Sequence, residues 1–119
     1  APWWLSQACL PLLAKSDAAA LVFVLDDLAR VRQAYWGGYG VAQHGRAGLV
    51  GILHAETVNS PVRVAGLQPG PMRTALRAKA FVEENDRTAV DPSVYAPACV
   101  TLLSPAGAAH RGQVWTPAP

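Results

Sequence analysis

The sequence predicts an α/β fold that is built on a parallel three-stranded sheet with flanking helices. Two short segments, residues 20–25 and 62–67, have the length and apolar character of strands that are buried on both faces. A long helical pattern over residues 37–58 separates them, and a last short strand is expected at 113–115. Strands that alternate with helices favour parallel pairing through crossover connections. The chain is therefore expected to form a single domain, 1–119, with no internal boundary.

The first helix is expected over residues 3–14, where apolar side chains recur at intervals of three and four residues. Pro11 lies inside this helix and is expected to kink it, because proline lacks the N–H of the helical hydrogen bond. The strand that follows ends at two acidic residues, Asp26 and Asp27. They could form a carboxylate pair, but solvation at the start of a loop is favoured, because adjacent side chains at a strand end point apart.

The helix over residues 37–58 carries six glycines between positions 37 and 51. An interior glycine destabilises a helix by about 1 kcal/mol relative to alanine, so packing must compensate. Small residues allow a close approach, and we therefore expect another backbone to contact this helix. The second strand then leaves the sheet through a turn at residues 68–71, which read Gln-Pro-Gly-Pro.

The C-terminal third is expected to hold a short helix over residues 74–81, a polar loop over 83–91 and a helix from there to about Leu103. Asp91 and Pro92 are typical of a helix start, where proline occupies the first turn.

The composition is that of an ordinary globular chain, with 51% hydrophobic residues, 15% charged residues and a net charge of +2. The nearest approach to a basic cluster is Arg63, Arg73, Arg77 and Lys79. No aromatic ladder accompanies it, so a solvated face is favoured and no nucleic-acid partner is expected. The longest apolar run, residues 18–25, is far too short to span a membrane.

The two cysteines, Cys9 and Cys99, lie in apolar contexts and are expected to be buried free thiols. The histidines His44, His54 and His110 share no metal-ligand spacing, so no metal site is expected. These residues contain no secretory leader pattern, and a cytoplasmic location is the default expectation.

Four segments resemble parts of one known family. Residues 21–24 (Leu-Val-Phe-Val) are similar to the fifth strand of short-chain dehydrogenases/reductases, and residues 35–43 (Tyr-Trp-Gly-Gly-Tyr-Gly-Val-Ala-Gln) resemble the start of their active-site helix. Residues 62–74 resemble the sixth strand with its Pro-Gly-x-x-x-Thr loop, and residues 112–115 resemble the seventh strand. The order and spacing of these segments carry the resemblance, which implies the C-terminal half of a Rossmann-like doubly wound fold.

The first half of that family carries a glycine-rich phosphate loop and the residue that selects NAD or NADP. Neither is found in these 119 residues, which resemble a chain that begins inside the fourth crossover helix.

The resemblance assigns the family's catalytic positions, and only the tyrosine is kept. Tyr39 matches the residue that exchanges a proton as hydride moves, Gln43 takes the lysine position and Asp26 takes the serine position. A free tyrosine has a pKa near ~10. Acid–base work near neutral pH therefore needs a neighbouring cation. Gln43 has no charge, while a carboxylate at position 26 disfavours the phenolate and repels a developing oxyanion.

Two nearby cations are candidates to replace the lysine. His44 lies about 100° around the helix and should face elsewhere, whereas Arg46 lies roughly 10 Å further along the helix axis. Neither is expected to substitute.

Pro69, Gly70 and Thr74 match the family's turn and the threonine that binds the nicotinamide carboxamide. A strand-end turn followed by a helix cap explains the same residues without a cofactor, and both interpretations stay open. NAD(P) is thus implied by the resemblance alone, and the alternative is that no cofactor binds. Trp36 could line a substrate cleft or pack under the helix.

Two functions are compatible with this pattern. The first is a degenerate short-chain dehydrogenase/reductase-like unit, without competent redox catalysis, that acts in assembly or ligand binding. The alternative is an NAD(P)-dependent oxidoreductase for a carbonyl or alcohol substrate, with Tyr39 as acid/base once an N-terminal half completes the cofactor site. Asp26 and Gln43 favour the first. A third option is a ligand-binding or regulatory domain that reuses the cleft.

The predicted sheet leaves the edge of its first strand unpaired, which invites association. Family members commonly dimerise through the helices that correspond to residues 3–14 and 37–58, and a homo-oligomer with two-fold symmetry is expected. The alternatives are an N-terminal half in the natural protein, or another chain that supplies it.

Overall fold

In the computed structural model, which describes residues 1–80 and 88–118, helices and strands alternate along the chain. The elements in order are α1 (Pro2–Leu13), β1 (Ala19–Val24), α2 (Leu28–Val31), α3 (Gly37–Thr57), β2 (Val62–Leu67), α4 (Ala75–Ala80), a 3-10 helix (Pro92–Tyr95), α5 (Ala96–Leu103), a second 3-10 helix (Pro105–His110) and β3 (Val114–Trp115).

The three strands form one parallel sheet in the order β1-β2-β3. β1 pairs along its whole length, from Ala19 opposite Val62 to Val24 opposite Leu67. β3 pairs with the last two residues of β2. The sheet and its flanking helices confirm the predicted α/β class.

Helices cover both faces of the sheet because the central strand alternates two sets of apolar side chains. One cluster lies between the sheet and α3, with Leu10 and Leu13 of α1 packed against it. It comprises Ala19, Phe23, Leu25, Val50, Leu53, Val62 and Val64. A second cluster lies between the opposite face and α5, and it comprises Ala65, Leu67, Ala98 and Leu102. Burial on both faces is what parallel central strands require.

The predicted strands and the two long helices are present, with ends within about one residue of those expected. The predicted helix start at Asp91 is confirmed, because its side chain accepts a hydrogen bond from the Ser93 N–H at 2.9 Å. The chain there first forms a 3-10 helix and becomes α-helical at Ala96. The expected end of a helix at Phe81 and residues 83–87 of the expected polar loop lie outside the described residues.

Two short helices were not predicted. α2 has four residues and the second 3-10 helix has six, so neither is long enough to show a hydrophobic period. α2 begins at Asp27, whose carboxylate accepts hydrogen bonds from the N–H groups of Ala29 and Arg30 at 3.0 and 3.3 Å. The expectation that Asp27 would be solvated is therefore wrong, because this residue is the N-cap of α2.

Of the six glycines of α3, one is required for close packing. At Gly40, a Cβ atom would collide with the carbonyl group of Val31 in α2, so glycine allows the two helices to approach. At Gly45, Gly48 and Gly51 nothing lies within 4 Å of the position that a Cβ atom would take. The expectation of close packing therefore fails at these three sites, which face open space.

The C-terminal end of α3 is fixed to β2 by one arginine. The Nη2 atom of Arg111 lies 2.9 Å from the carbonyl oxygen of Thr57, 3.1 Å from that of Ser60 and 3.1 Å from that of Val62. These carbonyls include one that the end of a helix leaves without an intrahelical partner. A positive charge at this end also interacts favourably with the negative end of the helix dipole.

Both cysteines are free thiols, but Cys9 and Cys99 are half-buried rather than buried. Within residues 1–80 and 88–118, none of the helices combines the length and apolar character needed to cross a membrane.

Candidate functional site

A cleft of about 650 Å³ opens at the carboxyl ends of β1 and β2. This is the edge of a parallel sheet at which doubly wound folds bind their ligands. All six residues that the sequence singled out line this cleft: Asp26, Tyr39, Gln43, Pro69, Gly70 and Thr74. They come from the end of β1, the start of α3 and the turn after β2, so the fold brings together residues that are up to about fifty positions apart.

The centre of the cleft is a short hydrogen bond between a phenol and a carboxylate. The Tyr39 hydroxyl donates to Oδ2 of Asp26 at 2.6 Å. The other carboxylate oxygen accepts from the N–H of Asp27 at 2.7 Å, which fixes the orientation of the Asp26 side chain. A charged acceptor makes such a bond stronger than one between neutral groups.

Gln43 is the buried member of this network, with 6% of its surface exposed. Its Oε1 accepts from the backbone N–H of Asp26 at 3.1 Å, and its side chain also hydrogen-bonds Tyr39. The four-residue spacing places it one turn beyond Tyr39 on the same face of α3, as the sequence predicted. Gln43 thus ties the helix to the end of β1 without adding a charge.

The pKa of Tyr39 is raised from its ordinary value of 10.0 to about 12. The largest cause is partial removal of the side chain from water, followed by the hydrogen bond to Asp26 and the negative charge of that carboxylate. The positive charge of Arg46 and the hydrogen bond with Gln43 act in the opposite direction but do not compensate. Near neutral pH this tyrosine stays protonated.

Arg46 reaches the cleft, and the expectation that it lies too far along the helix is wrong in part. Its Nη1 donates to the carbonyl oxygen of Val24 at 3.0 Å, at the end of β1. The long side chain extends back towards Tyr39, and its charge lowers the pKa of that residue. His44 faces elsewhere as expected, because its Nδ1 lies 2.8 Å from the carbonyl oxygen of Gly40.

Asp26 was expected to be solvated, and this expectation is also wrong. It is half-buried, and both of its carboxylate oxygens accept hydrogen bonds within the protein. The two adjacent carboxylates do not act as a pair, because Asp27 caps α2 while Asp26 accepts from Tyr39. The sequence assigned Asp26 to the serine position by resemblance, but it did not predict the hydrogen bonds around this residue.

Trp36 lines the cleft, as one of the two interpretations of this residue expects. Its ring centroid lies 5.8 Å from that of Tyr39, with a tilt of 38° between the planes. Met72 and Leu76 also line the cleft and were not predicted. No motif marks either residue, and only the fold of the turn after β2 brings them to this position.

The turn after β2 has a tight steric requirement. The hydroxyl group of Tyr95, a buried residue, occupies the space that a Cβ atom at position 70 would need, so glycine is required there. Oγ1 of Thr74 accepts from the N–H of Arg77 at 3.1 Å, which makes it the cap of α4. The same hydroxyl keeps its own proton and can still donate it to a ligand.

The residues present fit NAD(P) in part. Pro69, Gly70 and Thr74 offer a turn and a hydroxyl donor that suit the carboxamide of a nicotinamide ring. Gln43 does not fit the role of the ribose-binding lysine, because it is uncharged and its Oε1 already accepts from Asp26. Among the described residues, no group of three or more histidine, cysteine or acidic side chains could hold a metal ion.

Comparisons with known proteins agree with the fold. The family model for short chain dehydrogenases matches residues 1–85. The uncharacterized oxidoreductase YciK of Escherichia coli strain K12 is 37% identical over 103 residues, which cover 87% of this chain and 40% of that protein.

Two crystal structures match nearly the whole chain. A short chain dehydrogenase from Salmonella enterica serovar Typhi strain CT18 superposes with a TM-score of 0.89 at 33% identity, covering 98% of this chain and 48% of that one. A short chain dehydrogenase from Escherichia coli CFT073, complexed with NADPH, has a TM-score of 0.87 at 33% identity, with the same coverage. The chain spans less than half the length of each of these relatives. On the family match, the identity to YciK and the shared parallel sheet, the chain belongs to the short-chain dehydrogenase family.

Proposed function

We propose that this chain is a degenerate short-chain dehydrogenase unit that binds a ligand and assembles with another copy but lacks competent redox catalysis. The observation that carries this proposal is the 2.6 Å hydrogen bond from the Tyr39 hydroxyl to Asp26. The alternative, an NAD(P)-dependent oxidoreductase with Tyr39 as acid/base, is supported by the family and by the NADPH complex of one relative.

The hydrogen bond removes the proton donor that carbonyl reduction needs. A tyrosine has one hydroxyl proton, and Tyr39 donates it to the carboxylate of Asp26. A pKa of about 12 makes Tyr39 a weak acid and keeps it from acting as a base near neutral pH. A carboxylate at the serine position also repels the negative charge that develops on a carbonyl oxygen.

NAD(P) remains a candidate ligand of the cleft. When bound, it supplies the hydride in this family. In this chain Thr74 would donate to the carboxamide, and Pro69 with Gly70 would shape the turn beside it. Calorimetry with NADH and NADPH is the first measurement, because it asks whether these residues bind a cofactor at all.

The direct test, made in a chain that binds cofactor, restores the family's side chains through the double substitution Asp26→Ser with Gln43→Lys. General acid–base catalysis contributes about 10²–10⁴-fold to a rate, so we expect the double variant to exceed the wild type by at least about 10²-fold in NADPH-dependent carbonyl reduction. Adding Tyr39→Phe to the double variant should abolish the gain. Wild-type turnover equal to that of the double variant would contradict the proposal.

Assembly through α1 and α3 is the second part of the proposal. α1 has no charged residue, and its Trp4, Leu5 and Leu12 are exposed. On α3, exposed Val41 and Ile52 lie on one face with Gly45 and Gly48, whose open surroundings leave the backbone accessible. A lack of charge together with exposed aromatic side chains is typical of interface cores. A second copy offers the same faces, so a two-fold pairing is favoured.

A further inference from the structure

The side chains at the centre of the cleft present hydrogen-bond acceptors. The Tyr39 hydroxyl gives its only proton to Oδ2 of Asp26, so the phenol oxygen itself offers only lone pairs. Each carboxylate oxygen of Asp26 accepts one bond within the protein and retains capacity for another. Gln43 is buried, and its Oε1 accepts from the backbone N–H of Asp26, so this oxygen is already bonded within the protein.

This arrangement is the reverse of what a carbonyl ligand needs. A carbonyl oxygen only accepts hydrogen bonds, so it would face Asp26 and Tyr39 without a donor and lose its bonds to water. A protonated amine carries three N–H donors and a positive charge. Its hydrogen bonds to a carboxylate would be of the stronger, charge-assisted kind.

The wall of the cleft also suits a cation with an apolar body. Trp36 and Tyr39 present aromatic rings beside Asp26, and aromatic faces attract organic cations. Pro69, Met72 and Leu76 also line the cleft and add apolar surface. A ligand that joins an ammonium group to an aromatic or aliphatic body would contact both regions.

Charged residues of both signs line the cleft, and their charges affect how strongly a ligand binds. The acidic residues are Asp26 and Asp27, and the basic residues are Arg30, Arg46 and Arg77. The Asp27 carboxylate accepts hydrogen bonds at the start of α2, and Arg46 donates to the carbonyl oxygen of Val24. The positive charge of Arg46 opposes a bound cation, so its removal should strengthen binding while loss of the Asp26 charge should weaken it.

We propose that the cleft binds a primary ammonium group on an apolar body, with the nitrogen held by Asp26 and the phenol oxygen of Tyr39 beside Trp36. This assignment of a ligand class rests on the proposed function, since both depend on the bond between Tyr39 and Asp26.

The test measures binding of three probes of similar size by calorimetry: 2-phenylethylamine, 2-phenylethanol and acetophenone. We expect the amine to bind at least about tenfold more tightly than either neutral probe, the change that one charge-assisted hydrogen bond provides. Asp26→Asn should weaken amine binding by about tenfold or more, and Arg46→Gln should strengthen it. Circular dichroism and thermal unfolding of each variant check that the fold is kept.

The outcomes separate this inference from the proposed function. Equal binding of all three probes, or an unchanged amine affinity in both variants, overturns the inference. If carbonyl reduction is also absent, the proposed lack of redox catalysis still stands. Preference for acetophenone together with wild-type turnover overturns both. Amine binding in a wild-type protein that reduces carbonyls supports the ligand class and refutes the loss of catalysis.

Discussion

At the scale of single residues, the chemistry of this site depends on which group receives the proton of Tyr39. The resemblance to the family singled out Tyr39, Asp26 and Gln43, and the structure joins all three in one network. The sequence could not predict that Arg46 reaches the end of β1, because tertiary contacts determine the direction of a long side chain. The positions were predictable, whereas the hydrogen bonds required the fold.

A pH titration tests the environment of Tyr39. Its pKa is raised to about 12, with Asp26 among the causes, so Asp26→Asn should lower it towards 10. Ultraviolet absorbance of the phenolate, with Tyr39→Phe subtracted, isolates this residue from Tyr35 and Tyr95. A wild-type value near 10, unchanged in the variant, would contradict the network described.

The same shift predicts how stability depends on pH. The folded protein holds the Tyr39 proton more tightly than the unfolded chain, whose pKa is near ~10. The stabilisation is therefore fully present below pH ~10 and is lost as pH rises towards the folded pKa of about 12. Chemical denaturation of wild type and Tyr39→Phe across this interval should show a steeper loss in the wild type.

At the scale of elements, long periodic segments were predictable and short ones were not. α1, α3 and the strands follow from hydrophobic pattern and length, whereas α2 follows from the Asp27 cap and its contact with α3. Four residues cannot display a helical period, so tertiary packing determines this helix. The sequence shows that α3 is rich in glycine. Which glycine is required for packing depends on the position of the neighbouring backbone, which only the fold determines.

A matched pair of substitutions on α3 tests that assignment. Gly40→Ala should lower the free energy of unfolding by about 1–3 kcal/mol, because its Cβ would meet the carbonyl of Val31. Gly51→Ala, where the space is open, should raise stability by up to about 1 kcal/mol through helix propensity. Urea denaturation gives both values. Equal effects of the two variants would show that α2 and α3 do not approach at Gly40.

At the scale of the whole molecule, the α/β class and the parallel sheet were predicted, and the order and pairing of the strands agree with them. The association of the chain with a second copy stays a prediction, because it depends on surfaces rather than on the core. Exposed apolar residues lie on the helices on both sides of the sheet, so exposure alone does not identify an interface.

A second matched pair tests the proposed assembly. Ile52 on α3 is 52% exposed and Val100 on α5 is 68% exposed, and they lie on opposite sides of the sheet. Ile52→Glu should shift the protein towards the monomer because it buries a charge in the interface, whereas Val100→Glu should not. Sedimentation equilibrium measures both. A wild-type monomer, or dissociation by Val100→Glu alone, would place the interface elsewhere or exclude it.

Under the proposed lack of redox catalysis, the network of Tyr39, Asp26 and Gln43 also restricts which substitutions could provide it. Gln43→Lys alone would add an ammonium group near Asp26, whose negative charge would offset part of its effect on the pKa of Tyr39. Asp26→Ser alone would free the tyrosine proton but leave no cation to activate it. Each single substitution removes a hydrogen bond of the network and supplies only one of the two groups that the family uses. On this proposal both substitutions are needed together, so selection for turnover favours neither step by itself.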